Sequence, residues 1–459
     1  MKYMINPVFI SKVLKSYFFD IERIWEMNPK HIPDFQEKKI REIIKYAYNN
    51  VPFYRKKYQK AKINPQDIKT IDDFEKIPFV TKKDLQNASL KDLFPKKIGN
   101  EAILTSTSGT KGKPLSIYIT LFDIVQGLFG YMRAFREYGI NWRKDKIVFI
   151  LDLRGNSMEQ MYMNEGLFPN FKPFFNFENM RIYNLSDKAE DLIKEFDKFQ
   201  PDFIGGYTGK LTHLALLKDE GYGKNVNPKA IGTTGSVLDK HVRKLAEEVF
   251  KTNVYDHYAA TEPGPLAFQC LDKKLHIHSD LVYTEFLKDG QAVVGEEPGN
   301  IVVTKLYGKG TPIIRYTGMN DIVTPSDEKC DCRLKNRLIK KIYGRDNWYL
   351  AFTGGRIMLP SAIAEVFGKT VYDYRTRMFQ GIQIYQKNTK NVEIRIIIDQ
   401  KLNMDNLQKK VFSIIKNEFE DKLGPETEAN VLVKEVNKID GGYIVSKVNI
   451  NRFKQKIYI

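Results

Sequence analysis

At 459 residues the chain exceeds what one compact core accommodates, so division into two or three domains is expected. A hydrophobic content of 42%, with 29 Phe and 25 Tyr, excludes a disordered chain, and three cysteines exclude a disulfide framework. The formal charge of +17 points to anionic partners, whether nucleic acid, a membrane surface or phosphorylated small molecules, without choosing among them.

The first element in chain order mixes Phe9, Ile10, Val13 and Leu14 with Lys12 and Lys15. That pattern predicts an amphipathic helix and lacks the apolar centre of a signal peptide, so a cytoplasmic location is expected. Ile40, Ile43, Ile44 and Ala47 recur at helical spacing, which predicts a helix within 37–60 leading into a turn at Val51-Pro52-Phe53-Tyr54. The apolar stretch 115–132 is interrupted by Asp123 and Gln126 and is not a membrane span. Residues 147–151 form a continuous apolar run of the kind buried on both faces of a sheet, and another ends at Phe203-Ile204-Gly205-Gly206. Helical periodicity over 185–199 and 238–250 alternates with these runs. The fold class expected is α/β: a large multi-layer N-terminal domain over 1–344, with sheets and covering helices. Beyond Gly344-Arg345-Asp346 the texture changes. Strands over 382–385, 392–398 and 431–433 with a helix over 407–419 predict a small, mobile α+β C-terminal domain over 345–459.

Thr105-Ser106-Thr107-Ser108-Gly109-Thr110-Lys111-Gly112-Lys113-Pro114 is the stretch richest in chemistry. Glycines allow backbone N–H groups to approach a phosphate, hydroxyls add donors, and lysines add mobile positive charge. It is not a Walker P-loop, because Pro114 stands where a Ser or Thr should hold Mg²⁺ and the Gly109–Gly112 spacing is too short. A solvated loop is the plain alternative. The cysteines Cys270, Cys330 and Cys332, with His276 and His278 nearby, offer a Cys₃His zinc set by ligand type, with free buried thiols as the alternative.

Four further strings are ordered along the chain: Asn50-Val51-Pro52-Phe53-Tyr54-Arg55; Tyr255-Asp256-His257-Tyr258-Ala259-Ala260-Thr261-Glu262; Arg315-Tyr316-Thr317-Gly318-Met319-Asn320-Asp321; and Gly344-Arg345-Asp346. With the phosphate-type loop and Ile77-Pro78-Phe79-Val80-Thr81-Lys82-Lys83-Asp84-Leu85 they resemble the adenylate-forming superfamily, in its phenylacetate–coenzyme A ligase-like branch. The resemblance covers nearly the whole chain. It implies ATP-dependent activation of a carboxylic acid as an acyl-adenylate, with pyrophosphate released and the acyl group passed to a thiol, coenzyme A by default. Transfer to a carrier protein or an amine in polysaccharide or natural-product assembly is the alternative, as is a catalytically weakened nucleotide-binding homologue.

The same resemblance assigns roles. Thr105, Ser106, Ser108, Gly109, Thr110 and Lys113 would hold phosphates; Gly235 and Ser236 would border the adenine and acid; Tyr258 would face adenine; Asp321 would accept from the ribose hydroxyls. Thr261 would contact phosphate, Glu262 would hold Mg²⁺, and Arg345 would contact ribose at a hinge with Asp346 as pivot. It also implies a structural Zn²⁺ on Cys270, His276, Cys330 and Cys332, with His278 as the spare ligand. Two departures stand out. The third motif reads one residue longer than the usual pattern, and the C-terminal Gly-Lys is replaced by Asp440-Gly441-Gly442-Tyr443, leaving Lys438 or Lys447 to supply the ammonium. No nucleic-acid module or basic helix is present, which argues against that partner. Oligomeric state is left open, a homodimer being one option.

Overall fold

The computed structural model describes residues 7–106, 114–154, 157–161, 163–164, 177–403, 406–450 and 456–459. The expected N-terminal helix is Pro7–Phe19. The helical pattern of 37–60 resolves into two helices, Ile32–Asn50 and Pro52–Lys60. Val51 between them is extended (φ −116°, ψ 109°) because the following proline ring disfavours the helical conformation of the residue before it.

Among the described residues the largest element is a 12-stranded sheet with two characters. Met180–Asn184, Ile147–Leu151, Phe203–Tyr207, Ala230–Thr234 and Asn253–Ala260 lie side by side and parallel. Such strands are buried on both faces, which is why 147–151 reads as an unbroken apolar run. Helices Ala189–Phe199, Thr208–Asp219 and Lys240–Phe250 cover one face, burying Leu192, Ile193, Phe196, Leu214 and Leu245 against Val148, Ile150, Ile204 and Ile231. Asn253–Ala260 then turns sharply into Gly264–Gln269, and from there the sheet is antiparallel out to Val282–Lys288 and Gly299–Lys305. The Pro52–Lys60 helix packs on this half, burying Tyr54 and Tyr58 beside Ile301, Val303 and Tyr316.

The C-terminal part has its own core. A four-stranded sheet pairs Asn430–Glu435, Asn391–Ile398, Phe379–Asn388 and Ile444–Ser446 in that order, and helices Pro360–Tyr374 and Leu407–Leu423 bury Ile363, Val366, Val411, Ile415 and Phe419 against it. No helix among the described residues is long and apolar enough to cross a membrane. Residues 343–346, read from sequence as a boundary, lie at the end of the strand Leu338–Arg345, with Arg345 in register with Asp321.

Candidate active site

Parallel strands in an α/β sheet deliver their carboxyl ends to one edge, where ligands bind in the crevice outside them. Here those ends lead directly into Asp152, Tyr207, Gly235 and Thr261, and all four border one cleft of about 1820 Å³. Its opposite wall comes from Gly318 to Asp321, Arg345, Trp348, Pro360 and Tyr443.

The tight turn Thr261-Glu262-Pro263 joins two paired strands and presents Glu262, which is 8% exposed, to the cleft. Tyr316 Oη donates to Glu262 Oε1 at 2.9 Å, fixing that carboxylate, and among the described residues its other oxygen has no hydrogen-bond partner. On the neighbouring strand Tyr258 Oη donates to Asp321 Oδ2 at 2.7 Å. Burial raises Asp321 to about 6, and the Tyr258 hydrogen bond and the Arg345 charge offset only part of that. Sequence reasoning gave Tyr258 an aromatic role; the structure adds a polar one, since its hydroxyl orients Asp321. Arg345 lies 5.6 Å over the Trp348 ring on an exposed strand end, while Asp346 accepts from Asn300 Nδ2 at 2.7 Å.

Gly235 is held by geometry. Its φ of +82° lies in the left-handed region, and a Cβ there would sit 2.4 Å from the Tyr207 ring, so glycine is needed on two counts. Ser236 follows it along the cleft, and its carbonyl accepts from Thr208 Oγ1 at 3.2 Å. Tyr207 Oη in turn donates to Glu159 Oε1 at 2.8 Å. Burial lowers the neighbouring His257 to about 4, so its imidazole is neutral at physiological pH. The sequence reading missed Tyr207, Glu159 and Tyr131, which sit singly on three separate elements with no motif around them.

Of the phosphate-type loop, Ser108, Gly109, Thr110 and Lys113 lie outside the described residues. The flanking strands Ile103–Ser106 and Ser116–Ile119 form an antiparallel hairpin that buries Thr105 and closes with a 2.7 Å hydrogen bond between the Ser106 and Ser116 hydroxyls. Lys447 is not brought to the cleft: it is exposed and absent from the lining, where Tyr443 stands instead, 6.4 Å from the Trp348 ring. Lys438 is likewise exposed and pairs with Asp440 at 2.9 Å. Arg315 has a structural place. Its guanidinium is buried, pairs with Glu285 at 2.6 Å and donates to the Ile77 carbonyl at 2.8 Å, while the backbones of Val80 and residues 315–317 exchange hydrogen bonds. That clip sets Thr81, Lys82 and Lys83 on the cleft rim.

The four proposed zinc ligands converge. One donor atom each from Cys270, His276, Cys330 and Cys332 lies within 4.8 Å of the others. Cys270 and Cys330 sulfurs are 3.7 Å apart, and Cys332 Sγ is 3.3 Å from His276 Nε2. A tetrahedral ion with Zn–S of about 2.3 Å demands S···S near ~3.8 Å and S···N near ~3.6 Å, so the donor set fits. His278 is not a ligand; its Nδ1 is 3.2 Å from Arg133, which forms a buried ion pair with Asp280 at 2.6 Å.

No family model matches the chain. It is 24% identical over 434 residues to Protein CapK of Staphylococcus aureus, covering 93% of this chain and 90% of that one. It is 25% identical over 415 residues to a phenylacetate-coenzyme A ligase of Pseudomonas putida, covering 86% and 89%. Among solved structures, 2-hydroxyisobutyryl-CoA ligase in its postadenylation state with 2-HIB-AMP superposes with a TM-score of 0.74 at 19% identity, over 94% of this chain and 92% of that one. The same enzyme in its thioesterification state with CoA gives 0.61 at 19% identity, over 98% and 96%. In sequence and in fold the chain is thus similar, over nearly its whole length, to coenzyme A ligases, one of them solved with an acyl-adenylate.

Proposed function

We propose that the protein is an ATP-dependent carboxylic acid ligase. The observation that carries this is the pairing of Tyr258 with Asp321 and of Tyr316 with Glu262, side by side where the parallel strands end. Asp321 accepts from the ribose hydroxyls, and Arg345, in register beside it, contacts the same sugar. Thr261 and the segment 105–113 meet the phosphates. The acid's carboxylate oxygen attacks the α-phosphorus, the bond to the bridging oxygen breaks, and pyrophosphate leaves. A thiol then attacks the acyl carbonyl and AMP departs, the thiol proton passing to solvent. Coenzyme A is the acceptor proposed, as it is for relatives named coenzyme A ligases.

Bringing two anions together needs neutralisation and fixed geometry more than covalent help. Mg²⁺ held by the outer oxygen of Glu262 would supply that neutralisation, and Tyr316 keeps the carboxylate aimed for it. Cys270, His276, Cys330 and Cys332 would hold a structural Zn²⁺, a closed set with no position for substrate. The better superposition on a postadenylation state supports reading the present C-terminal placement as the one that serves the first half-reaction. Arg377, paired with Glu190 and Glu220, and Arg375, paired with Glu248, hold that placement; rotation beyond Arg345 would follow their release.

ATP–pyrophosphate exchange with Mg²⁺ over a panel of acids tests the reading, with Glu262→Ala as control. Acid-dependent exchange lost in the variant is expected. Nucleotide binding without exchange for any acid would favour a weakened homologue, for which the Tyr443 replacement is the specific motive.

A further inference from the structure

One arm of the cleft has no part in the nucleotide contacts proposed above. It is bounded by His257 and Tyr131, whose rings are 6.2 Å apart, then Glu159 and Tyr207, and it returns to Gly235 under the Tyr207 ring. His257 precedes Tyr258 on one strand, and both border the same cleft. A pocket for a plain aryl or fatty chain is lined by apolar groups. This one contains a carboxylate.

Glu159 is partly buried, and burial raises its pKa above the ordinary carboxylate value. Oε1 accepts from Tyr207 and Oε2 from the backbone N–H of Asp152. An ionised carboxylate offers about four acceptor positions, so capacity remains on the cleft side. Among the described residues no cation pairs with Glu159, and Arg154, which also borders the cleft, is committed to Asp152 at 2.6 Å. The Tyr131 hydroxyl, close enough to feel the Glu159 charge, makes no hydrogen bond with a described residue. A carboxylate so placed is stabilised by a donor arriving with the substrate and disfavours a second carboxylate there.

We propose that this arm receives the acyl end of the acid and that the acid carries a proton-donating group, an ammonium or a hydroxyl, which Glu159 accepts with Tyr131 and Tyr207 alongside. This rests on the adenylate-forming reading of the cleft. An acid with only a hydrocarbon end would leave Glu159 desolvated, a loss of roughly tenfold or more in affinity for one charge-assisted hydrogen bond.

The test is calorimetric titration of the wild-type protein with non-hydrolysable acylsulfamoyl adenosines, in matched short chains ending in methyl, hydroxyl or ammonium, with 5′-sulfamoyladenosine as the parent. At one or more chain lengths the hydroxyl- or ammonium-ended compound should bind about tenfold tighter than its methyl-ended partner, and which of the two wins identifies the donor. Glu159→Gln, which keeps an acceptor for Tyr207, should abolish an ammonium preference and reduce a hydroxyl preference; Tyr131→Phe is a second variant if the first does not fold. Methyl-ended compounds binding as tightly at every length, or a preference unaffected in the variants, would overturn the proposal. Failure of the parent to bind would instead overturn the nucleotide reading, and this inference with it.

Discussion

Asp321→Asn separates what the site needs from what the fold prefers. Burial raises Asp321 from 3.8 to about 6, a difference of about two units, and each unit corresponds to about 1.4 kcal/mol. A carboxyl whose pKa is higher in the fold than in the unfolded chain is stabilised in its neutral form. The penalty for its charge is therefore absent below about pH 3.8, grows through the interval, and is complete above about pH 6. At neutral pH the native protein should carry up to about 3 kcal/mol of destabilisation from this one group. The Tyr258 and Arg345 contributions oppose the shift but are smaller than burial. Asparagine is neutral at every pH and keeps an oxygen for the Tyr258 hydroxyl. The variant should be more stable than wild type by about 1–3 kcal/mol near pH 7.5 and equal to it near pH 4, read as shifts in urea midpoint at the two pH values. Its affinity for AMP should fall roughly tenfold to a hundredfold, since an amide cannot accept from both ribose hydroxyls as a carboxylate does. A variant less stable than wild type at pH 7.5, or one whose advantage is the same at both pH values, would refute the reasoning.

Gly235→Ala forces a side chain into a left-handed residue 2.4 Å from the Tyr207 ring; conformational strain alone is about 1–2 kcal/mol, and thermal unfolding together with loss of exchange activity should show it. Arg315→Ala leaves Glu285 buried without its 2.6 Å partner and removes the clip to Ile77; denaturant unfolding should report a loss of about 3–5 kcal/mol, and a loss under about 1 kcal/mol would remove Arg315 from its structural role. Metal analysis of purified protein should find one zinc per chain, abolished in Cys330→Ser with a lowered unfolding temperature; a full-strength fold with no bound metal would dismiss the site.

The alternation of apolar runs with helical periods was legible because each follows one rule of burial. The strand at 147–151 is apolar on both faces since helices cover its sheet, and 391–398 alternates because one face meets the Leu407–Leu423 helix. The places of Tyr258, Glu262 and Asp321 at one cleft were legible through the order of their motifs, and the convergence of Cys270, His276, Cys330 and Cys332 through residue type, although sixty residues separate Cys270 from Cys330. Glu159, Tyr131 and Tyr207 were not, because their meaning comes only from three elements converging at a strand edge. Nor could the sequence show that Tyr258 serves Asp321 through its hydroxyl or that Arg315 braces a distant segment. Each depends on a partner 30 or more residues away.

The central claim is that ATP is cleaved between its α- and β-phosphates by an attacking carboxylate. The most direct measurement is product analysis after one turnover with Mg²⁺ and an accepted acid, without a thiol. The account predicts pyrophosphate and an enzyme-bound acyl-adenylate in equal amounts, with AMP appearing when coenzyme A is added. ADP and inorganic phosphate as the products would contradict it.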